Sequence, residues 1–199
     1  MNTRTPATQL RPRKTPTQPR SAETVAAIVE AAAQILETEG IAGFNTNAVA
    51  ERAGVSIGSL YQYFPGKDAL TVALMHRESQ RFHDDAAVAL TLESGEEALD
   101  YLIGASVRQQ LQRPMLARLL DVEEGRPALR GETDKPGMKH LFTTIVHRAI
   151  PHHAHPDVAV ADVLAIIRGM VDAAGERGES DIDGLRRRVR AAVFGYLRA

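Results

Sequence analysis

The residues with the clearest chemistry lie between Thr46 and Lys67, where hydroxyl, amide and phenol side chains recur in two short segments separated by a glycine. Such groups donate hydrogen bonds to phosphate oxygens, and amides and hydroxyls also bond to the edges of bases. Thr46 and Ser56 stand at predicted helix starts, where unpaired backbone N–H groups and the helix dipole attract an anion. The spacing therefore indicates a surface that contacts nucleic acid.

The elements that would position these groups are those of a helix-turn-helix, a motif whose second helix enters the DNA major groove. Thr46 is predicted to cap the first of the two helices, and Gly54 supplies the sharp turn between them. Ser56 is predicted to cap the second helix, on which Leu60 and Phe64 point inward at a four-residue spacing.

The rest of the chain also has helical patterns. Ser21 is a good N-cap for a first helix, which is expected to end at Gly40. Further helices are predicted from about Lys67 to beyond Phe82, Glu96 to Gln112, Pro114 to Glu124, Lys139 to Ala149, Pro156 to Glu176 and Asp181 to the end. No strand-like alternation occurs, so we predict an all-α fold of about nine helices.

Charge and composition divide the chain into three parts. Residues 1–20 carry five basic residues and no acid, whereas the whole chain of 199 residues has a net charge of −1. We therefore predict a disordered basic arm over 1–20, a helix-turn-helix domain over 21–67, and an effector-binding and dimerisation domain over 68–199. Within the arm, Arg11, Arg13 and Lys14 either follow the DNA backbone or minor groove or form a solvated tail.

Residues 25–74 resemble the TetR family of bacterial transcriptional regulators. The match is closest in the segments 46–53, Gly54-Val55-Ser56 and 58–64, followed by Lys67. The resemblance implies a homodimer that binds a pseudo-palindromic operator in double-stranded DNA and represses transcription. It also implies that a small molecule bound in the C-terminal domain releases the operator.

The same resemblance assigns roles to the residues of the motif. Hydroxyl, phenol and basic groups would contact phosphates, residues of the second helix would face the major groove, and Gly58 would let that helix come close to the bases. The residues expected to contact DNA are Thr46, Asn47, Ser56, Ile57, Gly58, Ser59, Tyr61, Gln62, Tyr63, Lys67 and, from the arm, Arg20. The alternative is that the tyrosines belong to the small core and that Thr46 and Ser56 are only helix caps.

Polar residues that interrupt apolar helix faces are the candidates for binding an effector between helices of the C-terminal domain. They are Tyr101, Arg108, Arg118, His140, His147 and Arg168. Arg168 lies in the most apolar helix, so it requires either a carboxylate partner, for which Asp172 is suitably spaced, or an anionic ligand.

The last two helices carry apolar residues that either fill the core of one subunit or pair with a second subunit in a four-helix bundle. The residues predicted to form the dimer interface are Leu164, Ile167, Val171, Leu185, Val189, Val193 and Tyr196.

The sequence gives no support to an enzyme, a cofactor or a metal site. It contains no cysteine, no nucleophile motif and no phosphate-binding glycine-rich loop. The histidines around Ile150-Pro151 favour a polar turn over a metal site, because no two of them lie four residues apart within one helix. No apolar run is long enough to cross a membrane, and a cytoplasmic location is expected. The alternatives to a repressor are a TetR-type activator and a helical ligand- or metal-handling enzyme with an incidental helix-turn-helix.

Overall fold

In the computed structural model, residues 19–124, 126 and 135–199 are described, and every regular element among them is an α-helix. The helices are α1 (Pro19–Gly43), α2 (Thr46–Arg52), α3 (Ile57–Tyr63), α4 (Lys67–Thr91), α5 (Gly95–Gln112), α6 (Pro114–Glu124), α7 (Lys135–Ala149), α8 (Pro156–Glu176) and α9 (Ile182–Leu197). The all-α prediction is confirmed. Helix α4 extends well beyond Phe82, and α7 begins four residues earlier than expected.

The described residues divide into two compact units. The first holds residues 19–77 with 119–124 and 126, and the second holds 78–118 with 135–199. The core of the first unit is made of aliphatic and aromatic side chains, from α1 to α4 and from the segments between them, that are essentially inaccessible to solvent. Its largest members are Ile28, Ile35, Leu36, Phe44, Leu60, Phe64, Leu70 and Leu74. Leu60 and Phe64 point inward as predicted.

Helix α1 differs from its prediction at both ends. It begins at Pro19, so Ser21 lies inside the helix and is not its cap. Proline suits the first turn because its φ is fixed near the helical value and its missing N–H would have no helical partner. Gly40 breaks the helical geometry as expected, with φ 66° and ψ −166°, and a short helical segment continues to Gly43.

The cap of α2 is Asn45, and the prediction that Thr46 fills this role is wrong. The Asn45 side-chain oxygen accepts hydrogen bonds from the backbone N–H groups of Asn47 and Ala48, at 3.1 and 3.0 Å. Asparagine is at least as good a cap as threonine, so the helix begins at Thr46, one residue earlier than the pattern suggested. The Thr46 hydroxyl is therefore available for other contacts. Gly54 has φ 68°, which confirms the turn that its position predicts.

The second unit is built around one apolar cluster, to which the end of α4 and helices α5, α7, α8 and α9 contribute. Five residues predicted to meet a partner subunit are buried in this cluster: Ile167, Val171, Leu185, Val189 and Val193. Their placement in the dimer interface is therefore wrong, because the helices of a single chain already cover them. Leu164 remains 47% exposed, and Tyr196 is half-buried and donates a hydrogen bond to Asp162 at 2.5 Å.

Candidate DNA interface

Helix α3 presents two faces of opposite character. Its inner face carries Leu60, which is fully buried against the first unit's core. Its outer face carries Ile57, Gly58, Tyr61 and Gln62, all of which are exposed. The outer face thus holds four of the residues that the sequence assigned to DNA contact.

A hydrogen bond links the outer face of α3 to the start of α2. The hydroxyl oxygens of Thr46 and Tyr61 lie 3.2 Å apart, and each group retains further donor or acceptor capacity. Tyr61 is 42% exposed, so its phenol is not part of the core. The bond holds side by side two hydroxyl groups, from different helices, that can donate hydrogen bonds to a phosphate. No sequence spacing had indicated this pairing.

Ser56 caps α3 as predicted. Its hydroxyl oxygen accepts a hydrogen bond from the Ser59 backbone N–H at 3.0 Å and lies 2.8 Å from the Ser59 hydroxyl oxygen. Both hydroxyls are therefore engaged with each other at the first turn of α3. The exposed amides of Asn47 and Gln62 are better placed for bonding to base edges.

The basic groups near this surface have different surroundings. The Lys67 ammonium nitrogen lies 5.0 Å from the centre of the Phe44 ring, and the residue is exposed. A cation held over an aromatic face can also contact a phosphate. Arg52 instead forms an ion pair with Glu39, with 2.8 Å between nitrogen and oxygen. Lys67 is thus the better placed of the two to contact a phosphate, and Phe44 is a neighbour of Lys67 that the motif alone did not reveal.

Gly58 has no role inside the protein that requires glycine. Its φ is not in the positive region. A Cβ added to it would meet only the Ser56 hydroxyl oxygen, at the ordinary contact distance of 3.8 Å. The absence of a side chain at the centre of the exposed face therefore makes room for something outside the chain.

The predicted contacts of the arm lie largely outside the described residues. Arg11, Arg13 and Lys14 are not described, and Arg20 is described only as a backbone position within α1. Their contact with DNA stays a prediction.

In the second unit, only two of the six predicted effector residues are brought together. The Tyr101 hydroxyl donates to Asp85 at 3.0 Å, and the Arg108 guanidinium lies 3.5 Å from the same carboxylate and over the Tyr101 ring. The hydrogen bond to Asp85 raises the pKa of Tyr101 above its ordinary value of 10.0. Asp85 was missed by the sequence reasoning, because an acid in a charged stretch of helix resembles a solvated residue.

The other effector candidates do not join this group. Arg118 and His140 are exposed, and His147 lies 3.4 Å from the Asp157 carboxylate. The Arg168 side chain is 68% exposed and pairs with Asp172 at 3.4 Å, so its partner is the carboxylate of its own helix. An open cavity of about 500 Å³ adjoins the Tyr101–Asp85–Arg108 group, and its lining residues are Arg81, Asp84, Asp85, Val88, Gln112 and Arg113.

The histidine-rich segment forms a turn. The His153 ring nitrogen accepts a hydrogen bond from the His155 backbone N–H at 3.1 Å. Among the described residues, no three histidine, aspartate or glutamate side chains are grouped so that they could hold a metal ion. In the same part of the chain, none of the helices has both the length and the apolar character needed to cross a membrane.

The capped α2, the Gly54 turn and the exposed face of α3 define a helix-turn-helix of the DNA-binding class. Residues 28–74 match the family model described as "Bacterial regulatory proteins, tetR family". This segment of the chain is therefore similar to the TetR family. The transcriptional repressor KstR of Mycolicibacterium smegmatis is 32% identical over 94 residues, which are 47% of this chain and 46% of the relative.

Solved structures support the same fold over most of the chain. The fatty acid degradation regulator FadR from Bacillus halodurans has a TM-score of 0.75 at 20% identity and covers 92% of this chain and 99% of its own. The regulator FadR from Bacillus subtilis, solved with stearoyl-CoA, has a TM-score of 0.69 at 18% identity, covering 84% and 96%. The chain spans about half the length of the curated relatives it matches.

Proposed function

We propose that the protein is a homodimeric transcriptional repressor that binds a pseudo-palindromic operator and leaves it when a small molecule binds. The observation that carries the proposal is the exposed face of α3, where Gly58 leaves room and the linked Thr46 and Tyr61 hydroxyls can reach phosphates. The relative KstR is named a transcriptional repressor, which favours repression over activation.

A second copy of the chain would be held by the outer faces of α8 and α9. Leu164 and Val158 on α8 are about half exposed. Gly169 on α8 and Gly195 on α9 have no positive φ, and a Cβ on either would meet nothing within 4 Å. Glycine lowers helix stability relative to alanine, by about 1 kcal/mol in a helix interior. The close approach of another helix gives a reason for glycine here, and a two-fold body suits a two-fold operator.

The effector would bind in the second unit, where Tyr101, Asp85 and Arg108 form a polar group beside the open cavity that Asp85 also lines. A ligand releases DNA only if its affinities for the two states of the protein differ, by a typical coupling of 1–3 kcal/mol. Stearoyl-CoA, which FadR of Bacillus subtilis binds in its structure, is the first compound to test.

DNA binding is tested with duplexes from upstream of the protein's own gene and with duplexes selected from a random pool. The wild type should bind tightly and with strong salt dependence, whereas a Tyr61→Ala, Lys67→Ala variant should bind weakly. Loss of one phosphate-bound lysine in each subunit should reduce the salt slope by about 2 for a dimer. Arg187→Ala is the control, because it removes an exposed charge from α9 in the second unit. Failure of selection to enrich any sequence would refute the regulator proposal.

Dimerisation is tested by sedimentation equilibrium. Leu164→Glu should produce monomers, because it places a charge at the centre of the proposed interface. Val88→Glu is the control, since Val88 on α4 is 46% exposed, against 47% for Leu164. A wild type that stays monomeric at high concentration, or equal behaviour of the two variants, would contradict this interface.

Release is tested by adding stearoyl-CoA to the preformed protein–DNA complex and measuring dissociation. An Asp85→Asn, Arg108→Ala variant should need more ligand for the same release. Unchanged ligand dependence of the variant would place the effector elsewhere.

A further inference from the structure

The most exposed aliphatic side chain of α3 is not among the buried residues of the protein's core. Ile57 is the first residue of the helix and is 38% exposed. The fully buried apolar side chains of α3 and its C-cap are Leu60 and Phe64. A β-branched alkyl group therefore projects from the helix that would enter the major groove, on a surface otherwise formed by polar groups and a glycine.

Ile57 carries the exposed apolar side chain of the first turn of α3. Ser56 and Ser59 use their hydroxyls for each other and for the helix cap. Gly58, the next residue, has no side chain to hold the helix away from a groove. A side chain at position 57 can therefore come close to base edges.

Base edges in the major groove offer one apolar group to such a side chain. Guanine, cytosine and adenine present hydrogen-bond donors and acceptors, whereas thymine presents a C5-methyl group beside its O4 acceptor. Burying Ile57 against polar base edges would leave their donors and acceptors without partners. Burying it against a thymine methyl removes two apolar groups from water and requires no hydrogen bond.

We propose that Ile57 contacts the C5-methyl group of one thymine in each half-site and makes the protein prefer thymine at that position. The proposal rests on the proposed function, because it requires α3 to lie in the major groove. It deepens that function by assigning one element of operator specificity to an apolar contact.

The test replaces thymine by dU at each position of a selected operator, one position at a time, because this removes the methyl group and preserves the hydrogen-bonding pattern. At one position, the wild type should bind the dU duplex about four-fold more weakly for a single half-site, and about fifteen-fold more weakly when both half-sites are changed. The Ile57→Ala variant should bind the thymine and dU duplexes equally at that position.

Two measurements separate this contact from general weakening. Ile57→Ala should keep the salt slope of the wild type, because it removes no charge. Ile41→Ala is the matched control: Ile41 is an exposed isoleucine of α1, and its variant should respond to dU as the wild type does. If the wild type and Ile57→Ala lose the same factor at every dU position, or neither loses any, the thymine contact is refuted while DNA binding stands. If the wild type binds no selected duplex, the proposed function fails as well.

Discussion

Replacing Gly58 by alanine should make the protein more stable and its DNA binding weaker. The added methyl group would lie 3.8 Å from the Ser56 hydroxyl oxygen, an ordinary van der Waals distance, and the backbone φ suits an L-residue. Alanine is the better helix former, so the free energy of unfolding should rise, by up to about 1 kcal/mol.

The effect on binding has the opposite sign. A Cβ adds about 1.5 Å of thickness to the centre of the face that would lie against the bases, estimated from an ordinary carbon–carbon bond. Hydrogen bonds from neighbouring side chains to base edges weaken steeply over such a distance. Loss of one good base contact costs about 1–3 kcal/mol in each half-site, a factor of about 5 to 150 in affinity.

Chemical denaturation and fluorescence anisotropy on a labelled operator measure the two effects on the same preparation. Thr38→Ala is the control for stability alone, because Thr38 is an exposed residue of α1 and its substitution also improves helix propensity. It should stabilise the protein and leave the affinity unchanged. A Gly58→Ala protein that binds DNA as tightly as the wild type would show that α3 does not approach DNA through this face, and the reasoning would fail.

Further predictions concern local structure and titration. Asn45→Ala should lower the free energy of unfolding by about 1 kcal/mol because it removes the cap of α2, and an unchanged urea midpoint would contradict this. Gly54→Ala should lower the free energy of unfolding by about 1 kcal/mol or more in the same assay, because a φ of 68° is strained for alanine. A higher free energy of unfolding, as expected for Gly58→Ala, would contradict this strain. The hydrogen bonds to Asp162 and Asp85 raise the pKa of Tyr196 and Tyr101 above 10.0, so the stability from these bonds is present below about pH 10 and is lost as pH rises through the raised values. In an alkaline titration followed by phenolate absorbance, Tyr196→Phe and Tyr101→Phe should therefore each lack one tyrosine that ionises late in the wild type. Loss of an early-ionising tyrosine instead would contradict these hydrogen bonds.

Local sequence signals determined most of the helix-turn-helix. The turn at Gly54, the cap at Ser56 and the inward Leu60 and Phe64 all follow from backbone preference, side-chain chemistry and helical spacing, which act within a few residues. Where two neighbours have similar chemistry, as Asn45 and Thr46 do, the pattern predicted the wrong one as the cap. Only the folded backbone showed which oxygen faces the N–H groups of α2.

Contacts between distant residues came only from the tertiary structure. The Thr46–Tyr61 bond, the position of Lys67 over Phe44 and the group of Asp85, Tyr101 and Arg108 join residues on different helices. No sequence spacing encodes such pairs, because they depend on how helices are packed.

The clearest division between sequence and structure is in the last two helices. The sequence by itself determined that α8 and α9 are helical and carry apolar stripes, because a 3.6-residue period is a property of a single helix. Which surface covers a stripe depends on the packing of other helices, so only the tertiary structure decided that Ile167, Val171 and Val189 fill the core of one chain. It likewise decided that Leu164 and Gly169 remain on an outer face, where a second subunit can reach them.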